Sequence, residues 1–233
     1  MKQIIPLVVA ALVGVGAYFA FVHEPNATVA QVASTELAAP SSGESVNNAD
    51  GDADAEVDIS TIPDMMIGNP DAPVTVIEYA SYTCPHCASF HAGTYKSLKK
   101  DYIDTGKINF VFREVYFDRY GLWASMIARC AGPEKFFGVT DLLFEGQSTW
   151  ARAGEPAAII GELRKVGRLA GMNDEMLDSC LNDEAKAKTL VEWYQTKAGA
   201  DDIESTPSFV INGTKYSNMS YADISVILDE AAE

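Results

Sequence analysis

Hydrophobic and polar positions change period several times along the chain. Val74 to Tyr79 (VTVIEY) is rich in β-branched residues and bounded by Asn69-Pro70 and Pro73, which predicts a buried strand. In residues 84–102 the period becomes helical, with Phe90, Tyr95, Leu98 and Tyr102 recurring three to five positions apart. Gly106 closes that region, and Ile108 to Val115 (INFVFREV) predicts a second strand, giving a parallel, right-handed strand–helix–strand unit. From about Arg119 to Ala200 the pattern is helical, in segments near 120–131, 133–145, 156–170, 173–182 and 185–199. Pro133 and Pro156 suit first helical turns, and Asn173 and Asn182-Asp183 suit helix starts. Strand signals return at Ser208 to Ile211 and Thr214 to Tyr216, flanking the hairpin turn Asn212-Gly213. An amphipathic helix from Tyr221 to Ala232 follows, with Ser220 as its N-cap. The order β-α-β, a block of helices, then β-β-α places the chain in the α/β class.

The first 60 residues obey different rules. Ile4 to Val22 is an uncharged apolar run after Lys2, long enough as a helix to cross most of a hydrocarbon layer roughly 30 Å thick. A secretory signal has a shorter run and a small-x-small cleavage site, and Ala30 after Thr28 is a poor one. Residues 1–23 therefore read as a membrane anchor or, alternatively, as a cleaved signal. Either leaves the rest outside the cytoplasm, periplasmic, secreted or tethered to the inner membrane by residues 4–22. Residues 24–60 hold Glu24, Glu36, Glu44, Asp50, Asp52, Asp54, Glu56 and Asp58 with no Lys, Arg or aromatic residue, which predicts a disordered acidic linker. Asp50, Asp52 and Asp54 lack the Gly and closing Glu of a calcium loop, and are a solvated charge run.

Composition narrows the function classes. The 233 residues are 48% hydrophobic, enough for a real core. A net charge of −16 disfavours nucleic acid as a partner, because such a chain repels phosphate backbones. Three N-glycosylation sequons, at Asn26, Asn212 and Asn218, carry little weight. The four cysteines carry more. Cys84 and Cys87 stand as Cys84-Pro85-His86-Cys87, whereas Cys130 and Cys180 lie far apart within the helical block.

The first pair sits where a strand ends and a helix begins. Free N–H groups and the positive end of the helix dipole stabilise a thiolate there. Two intervening residues leave Cys84 outermost and Cys87 one turn inward, a spacing in which the outer thiol is acidified. Pro85 suits the first turn, and His86 adds a donor or positive charge beside the sulfur. A stabilised thiolate is also a good leaving group, so the pair is expected to be oxidising. In an oxidising compartment Cys130 and Cys180 read as a structural disulfide, with two buried free thiols as the alternative.

The stretch VIEYASYTCPHCASF resembles the active site of the DsbA family of bacterial disulfide oxidoreductases, with the same CPHC and the same glutamate, Glu78, six residues before it. Ser205-Thr206-Pro207-Ser208-Phe209 fits the family's cis-proline segment. The resemblance covers about residues 62–233 and implies a thioredoxin-like fold interrupted by an all-helical domain: residues 61–118 and 203–233 form the first and residues 119–202 the insertion. It also implies roles. Cys84 enters the mixed disulfide, Cys87 resolves it, Glu78 handles the proton, and Thr206 and Pro207 present backbone groups to an extended peptide. Desolvation is expected to raise the Glu78 carboxyl. The chain departs from some relatives by having His91 where they carry a second glutamate.

The expected function is therefore introduction of disulfides into exported proteins through Cys84 and Cys87. Expected partners are reduced or unfolded exported proteins and a quinone-linked membrane oxidase resembling DsbB. No cofactor is implied, and the expected state is a monomer. One alternative keeps the fold and reverses the electron flow, as a reductase or isomerase. Another is a Cu(I) or Zn module using Cys84, Cys87 and His91, which have C-x-x-C-x-x-x-H spacing. Haem attachment needs His directly after the second cysteine, where the chain has Ala88.

Overall fold

A strand that the pattern does not predict opens the sheet. In a computed structural model that describes residues 57–233, Met65–Gly68 (β1) pairs antiparallel with Ile108–Glu114. Four residues show too little alternation to stand out, and their pairing partner lies some 40 positions away. Val74–Ala80 (β2) then runs parallel to Ile108–Glu114 (β3), and Ser208–Ile211 (β4) and Thr214–Ser217 (β5) complete an order β1-β3-β2-β4-β5. The central strand is thus β2, hydrogen-bonded on both sides. The β4–β5 turn has Asn212 and Gly213 at φ 45° and 84°, the left-handed pair expected of a tight hairpin. Asn212 also ties this tip to β2, accepting through Oδ1 from the Thr75 N–H at 2.9 Å.

The first helical region is broken where the pattern runs on. Pro85–Ala92 (α1) stops at Gly93, Thr94–Leu98 (α2) follows, and Lys99–Ile103 continues as a turn of π-helix. The block contains Arg119–Cys130 (α3), Pro133–Glu145 (α4), Gln147–Trp150 (α5), Pro156–Leu169 (α6), Asp174–Leu181 (α7) and Glu184–Ala200 (α8). Only the single-turn α5 escapes the sequence pattern. Pro133 and Pro156 begin their helices, and the Asn173 side chain accepts from the Met176 N–H at 2.9 Å as the N-cap of α7. Tyr221–Ala231 (α9) is capped by Ser220, as expected.

Strand alternation decides which residues meet. Val74, Val76 and Ala80 of β2 enter the main core together with Phe110 and Phe112 of β3. The same core takes in Ile127, Phe136, Leu163 and Leu177 from the helical block, so block and sheet share one interior. Glu78, in step with Val76 and Ala80, faces that interior and has no exposed surface. Tyr79 points to the other face, against Ala198 of α8.

The apolar run expected to be an anchor or signal, and the expected linker through residue 56, lie outside the described residues. Asp58 caps a 3-10 turn at Ile59–Thr61, so ordered structure begins within the last positions of the expected linker. Among the described residues no helix is long and apolar enough to cross a membrane.

Cys130 at the end of α3 and Cys180 in α7 form a disulfide, with Cα atoms 6.2 Å apart across 50 positions of sequence. Closing a loop of that size stabilises a fold by about 4 kcal/mol in the chain-entropy model. A double variant Cys130→Ala/Cys180→Ala is expected to lose up to about 4 kcal/mol in urea unfolding while its Cys84–Cys87 pair keeps its reduction potential. A loss below about 1 kcal/mol would mean the clip adds little to the packing of α3 on α7.

Candidate active site

Cys84 is the N-cap of α1, with extended backbone (φ −81°, ψ 119°) and no side-chain capping bond, so its sulfur is free at the helix N-terminus. Pro85 fixes the first turn, and Pro85 and His86 are exposed while both cysteines are buried and free. As a thiol, Cys84 donates from Sγ to the Thr206 carbonyl at 3.4 Å. Thr206 precedes Pro207 through a cis peptide bond at the mouth of β4. Two motifs 122 positions apart are therefore in direct contact.

The two sulfurs have opposite acidities. The hydrogen bond from the Cys87 side chain lowers the Cys84 pKa most, against desolvation, and Thr206 and the Cys87 and His86 N–H groups bring it to about 5. The Thr206 hydroxyl is buried without another partner, which leaves it available to an ionised sulfur. Burial pushes the Cys87 thiol up, and its bond to Cys84 and the charge of Glu78 push in the same direction. At neutral pH the pair is a Cys84 thiolate beside a Cys87 thiol.

This has a pH signature. The Cys84 pKa falls on folding, so the ionised thiol stabilises the reduced fold above the unfolded pKa. That contribution shrinks as pH drops and is gone below about 5. Alkylation of the reduced protein by iodoacetamide, read by mass, is expected to follow a single ionisation with a midpoint about 5. A midpoint near 8.5, the value of an ordinary thiol, would mean the helix terminus and Cys87 do not act on the sulfur.

Loops from elsewhere hold the site in place. The Thr83 hydroxyl donates to Asp118 Oδ2 at 2.8 Å, and Asp118 also caps α3 through Oδ1. Gln147, buried at the start of α5, donates from Nε2 to the carbonyls of Tyr82 at 2.8 Å and Cys84 at 2.9 Å. No sequence signal marked Gln147, since it is one polar residue in an unpredicted turn of helix.

His91, which stands where some relatives carry a second glutamate, is buried, and its Nε2 lies 3.2 and 3.0 Å from the two carboxylate oxygens of Glu78. Seven positions after Cys84, on the far side of α1, it turns inward to β2. With its Nε2 on Glu78, it does not join the two cysteines as a ligand set. Among the described residues no group of three His, Cys, Asp or Glu side chains is arranged to hold a metal ion.

Comparison with known proteins places these features in company. The family model described as thioredoxin matches residues 60–230. A Rickettsia bellii protein, provisionally named protein-disulfide oxidoreductase, is 36% identical over 171 residues; the alignment covers 73% of this chain and 65% of that protein, just under two thirds of its length. Disulfide bond formation protein D of Bacillus subtilis is 29% identical over 162 residues, covering 68% of this chain and 72% of its own. The crystal structure of Wolbachia pipientis alpha-DsbA1 superposes with a TM-score of 0.67 at 27% identity, over 72% of this chain and 90% of that one.

Proposed function

The chain belongs to the thioredoxin family as a DsbA-like member, and from that premise we propose that it is a thiol–disulfide oxidoreductase that donates the Cys84–Cys87 disulfide to reduced proteins. The observation that carries the reading is the placement of Cys84: at a helix N-terminus, its sulfur against Thr206, beside a Cys87 that remains protonated.

In the oxidised form a substrate thiolate attacks Cys84 Sγ. A bond forms between the two sulfurs, the Cys84–Cys87 bond breaks, and Cys87 leaves with its electron pair and takes a proton. A second substrate thiolate then attacks the substrate sulfur of the mixed disulfide. Cys84 leaves as a thiolate, which is favourable because its pKa is about 5. Two electrons pass from substrate to protein, and the substrate gains a disulfide. Glu78 supplies the proton to Cys87, and the Thr206-Pro207 segment presents its backbone to an extended substrate. Phe117, 59% exposed next to the Asp118 that holds Thr83, offers apolar surface to an unfolded chain.

The substrates are exported proteins with reduced cysteines. The protein acts outside the cytoplasm as a monomer, tethered or released according to the fate of residues 4–22. A quinone-linked membrane oxidase returns it to the disulfide form. Equilibrating the pair against a glutathione series tests the direction of flow. A potential near the strong-oxidant end, about −120 mV, is expected. A value near −270 mV would replace this reading with a reductase.

A further inference from the structure

The exchange above needs a proton to reach Cys87 in one half-cycle and to leave it in the other. The group that handles it, Glu78, is completely buried. Glu78 must therefore exchange protons with water through something else, and the interior behind it is aromatic.

His91 crosses that interior. Its ring is stacked on Phe144 with centroids 4.2 Å apart and planes 23° apart, and lies 4.5 Å from the Tyr95 ring. Phe90 and Phe112 meet it edge-on. This clamp keeps Nε2 on the Glu78 carboxylate. The other ring nitrogen, Nδ1, is buried and has no hydrogen-bond partner, a rare condition for a buried polar atom. His91 also lines a small pocket of about 30 Å³, together with Ala88, Ala92, Lys96, Asp141, Phe144 and Glu145. That pocket has polar groups and room for water. At its rim Lys96 and Glu145 are both more than half exposed and 3.4 Å apart. An imidazole with one nitrogen on a buried carboxylate and the other unpartnered, in a ring that lines a water-sized opening, has the form of a proton bridge.

Building on the oxidoreductase reading, we propose that His91 is a positioning residue that also carries protons between Glu78 and this pocket. During substrate oxidation Cys87 leaves as a thiolate and takes a proton through Glu78, a carboxylate that passes on the one it receives. Glu78 takes the Nε2 proton of His91, and Nδ1 takes one from pocket water. During reoxidation by a disulfide oxidant, Cys87 gives its proton to Glu78, Glu78 returns one to Nε2, and Nδ1 releases one to the pocket. Each half-cycle thus resets the tautomer used by the other, and the ring need not turn within its clamp. The titratable groups that face His91 are Glu78 from β2, Tyr95 and Lys96 from α2, and Asp141 and Glu145 from α4. Tyr95 stays neutral, because burial pushes its phenol up.

The test uses the full chain, oxidised and mixed with a reduced single-cysteine peptide, with acid quenching and mass detection of the mixed disulfide. Wild-type protein must form it; failure here would remove the oxidoreductase reading and the relay with it. His91→Gln keeps a hydrogen bond to Glu78 but cannot pass a proton through its ring. It is expected to form the mixed disulfide about 100-fold more slowly, with a flattened pH profile. His91→Ala is expected to recover with added imidazoles, its rate rising with their basicity, and not with pyrrole, which fills the space without accepting a proton. His91→Gln at the wild-type rate, or equal rescue of His91→Ala by pyrrole, would overturn the relay and leave the exchange chemistry intact.

Discussion

Cys84→Ser will reduce thiol–disulfide exchange to background, a loss of more than roughly 10,000-fold at pH 7. The size of the effect follows from the division of acidity between the sulfurs. With a pKa of about 5, Cys84 is ionised at neutral pH. Cys87 is buried and its thiol is pushed far above the ordinary range, so it cannot replace Cys84 as the sulfur that exchanges with an outside thiol. The companion variant Cys87→Ser keeps the Cys84 thiolate and loses the internal nucleophile. It will accumulate a mixed disulfide with a disulfide-bearing peptide, visible as a stable mass increase under non-reducing conditions. If Cys87→Ser turns over like wild type, or if Cys84→Ser retains exchange, the roles assigned to the two sulfurs are reversed or absent.

The second large effect is on stability. Arg129→Met will destabilise the fold by about 3–5 kcal/mol, because it strands a buried carboxylate. Glu114, at the end of β3, is 1% exposed and accepts from Arg129 Nε at 2.7 Å and Nη2 at 2.6 Å. The Ser125 hydroxyl adds a third bond to Glu114 at 2.9 Å. On its other side the guanidinium donates to the Pro63 carbonyl at 3.0 Å and lies 4.9 Å from the Trp193 ring centre. The pair therefore ties the sheet to α3 and to the segment before β1. The double variant Glu114→Gln/Arg129→Met will recover much of the loss, since a neutral amide costs far less to bury than an unpaired charge. Urea unfolding of the two single variants and the double variant decides it. Equal destabilisation in the single and double variants would place the effect in lost packing around Trp193 instead.

What could be read in the sequence was local. The β-branched run of β2, the Asn212-Gly213 turn, the proline starts of α4 and α6 and the CPHC motif each carry their signal within a few residues. Cys84 and the Thr206-Pro207 segment could be paired only through the family resemblance, because nothing in either motif points across 122 positions. The missing pieces depend on tertiary contacts. β1 is defined by its partner β3 and not by its own four residues. Gln147 matters because it meets two carbonyls some 63–65 positions away. The partner of His91 was hidden, since helical spacing alone does not reveal that the strand opposite presents a buried acid. Its pairing with Glu78 follows from the parity of β2, which turns position 78 inward with Val76 and Ala80.

The contact between Cys84 and Thr206 also sets a clock. The cysteines are made long before the groups that acidify and hold them: the Gln147 amide comes 63 residues later and the Thr206 carbonyl 122 later. At about 5–20 residues per second, the delay to Thr206 is on the order of 10 s. Throughout that interval Cys84 has His86 and Cys87 beside it in sequence but lacks Thr206, the one distant group that lowers its pKa. The last part of the acidification therefore arrives with the segment leading into the C-terminal hairpin, when the two cysteines are already side by side.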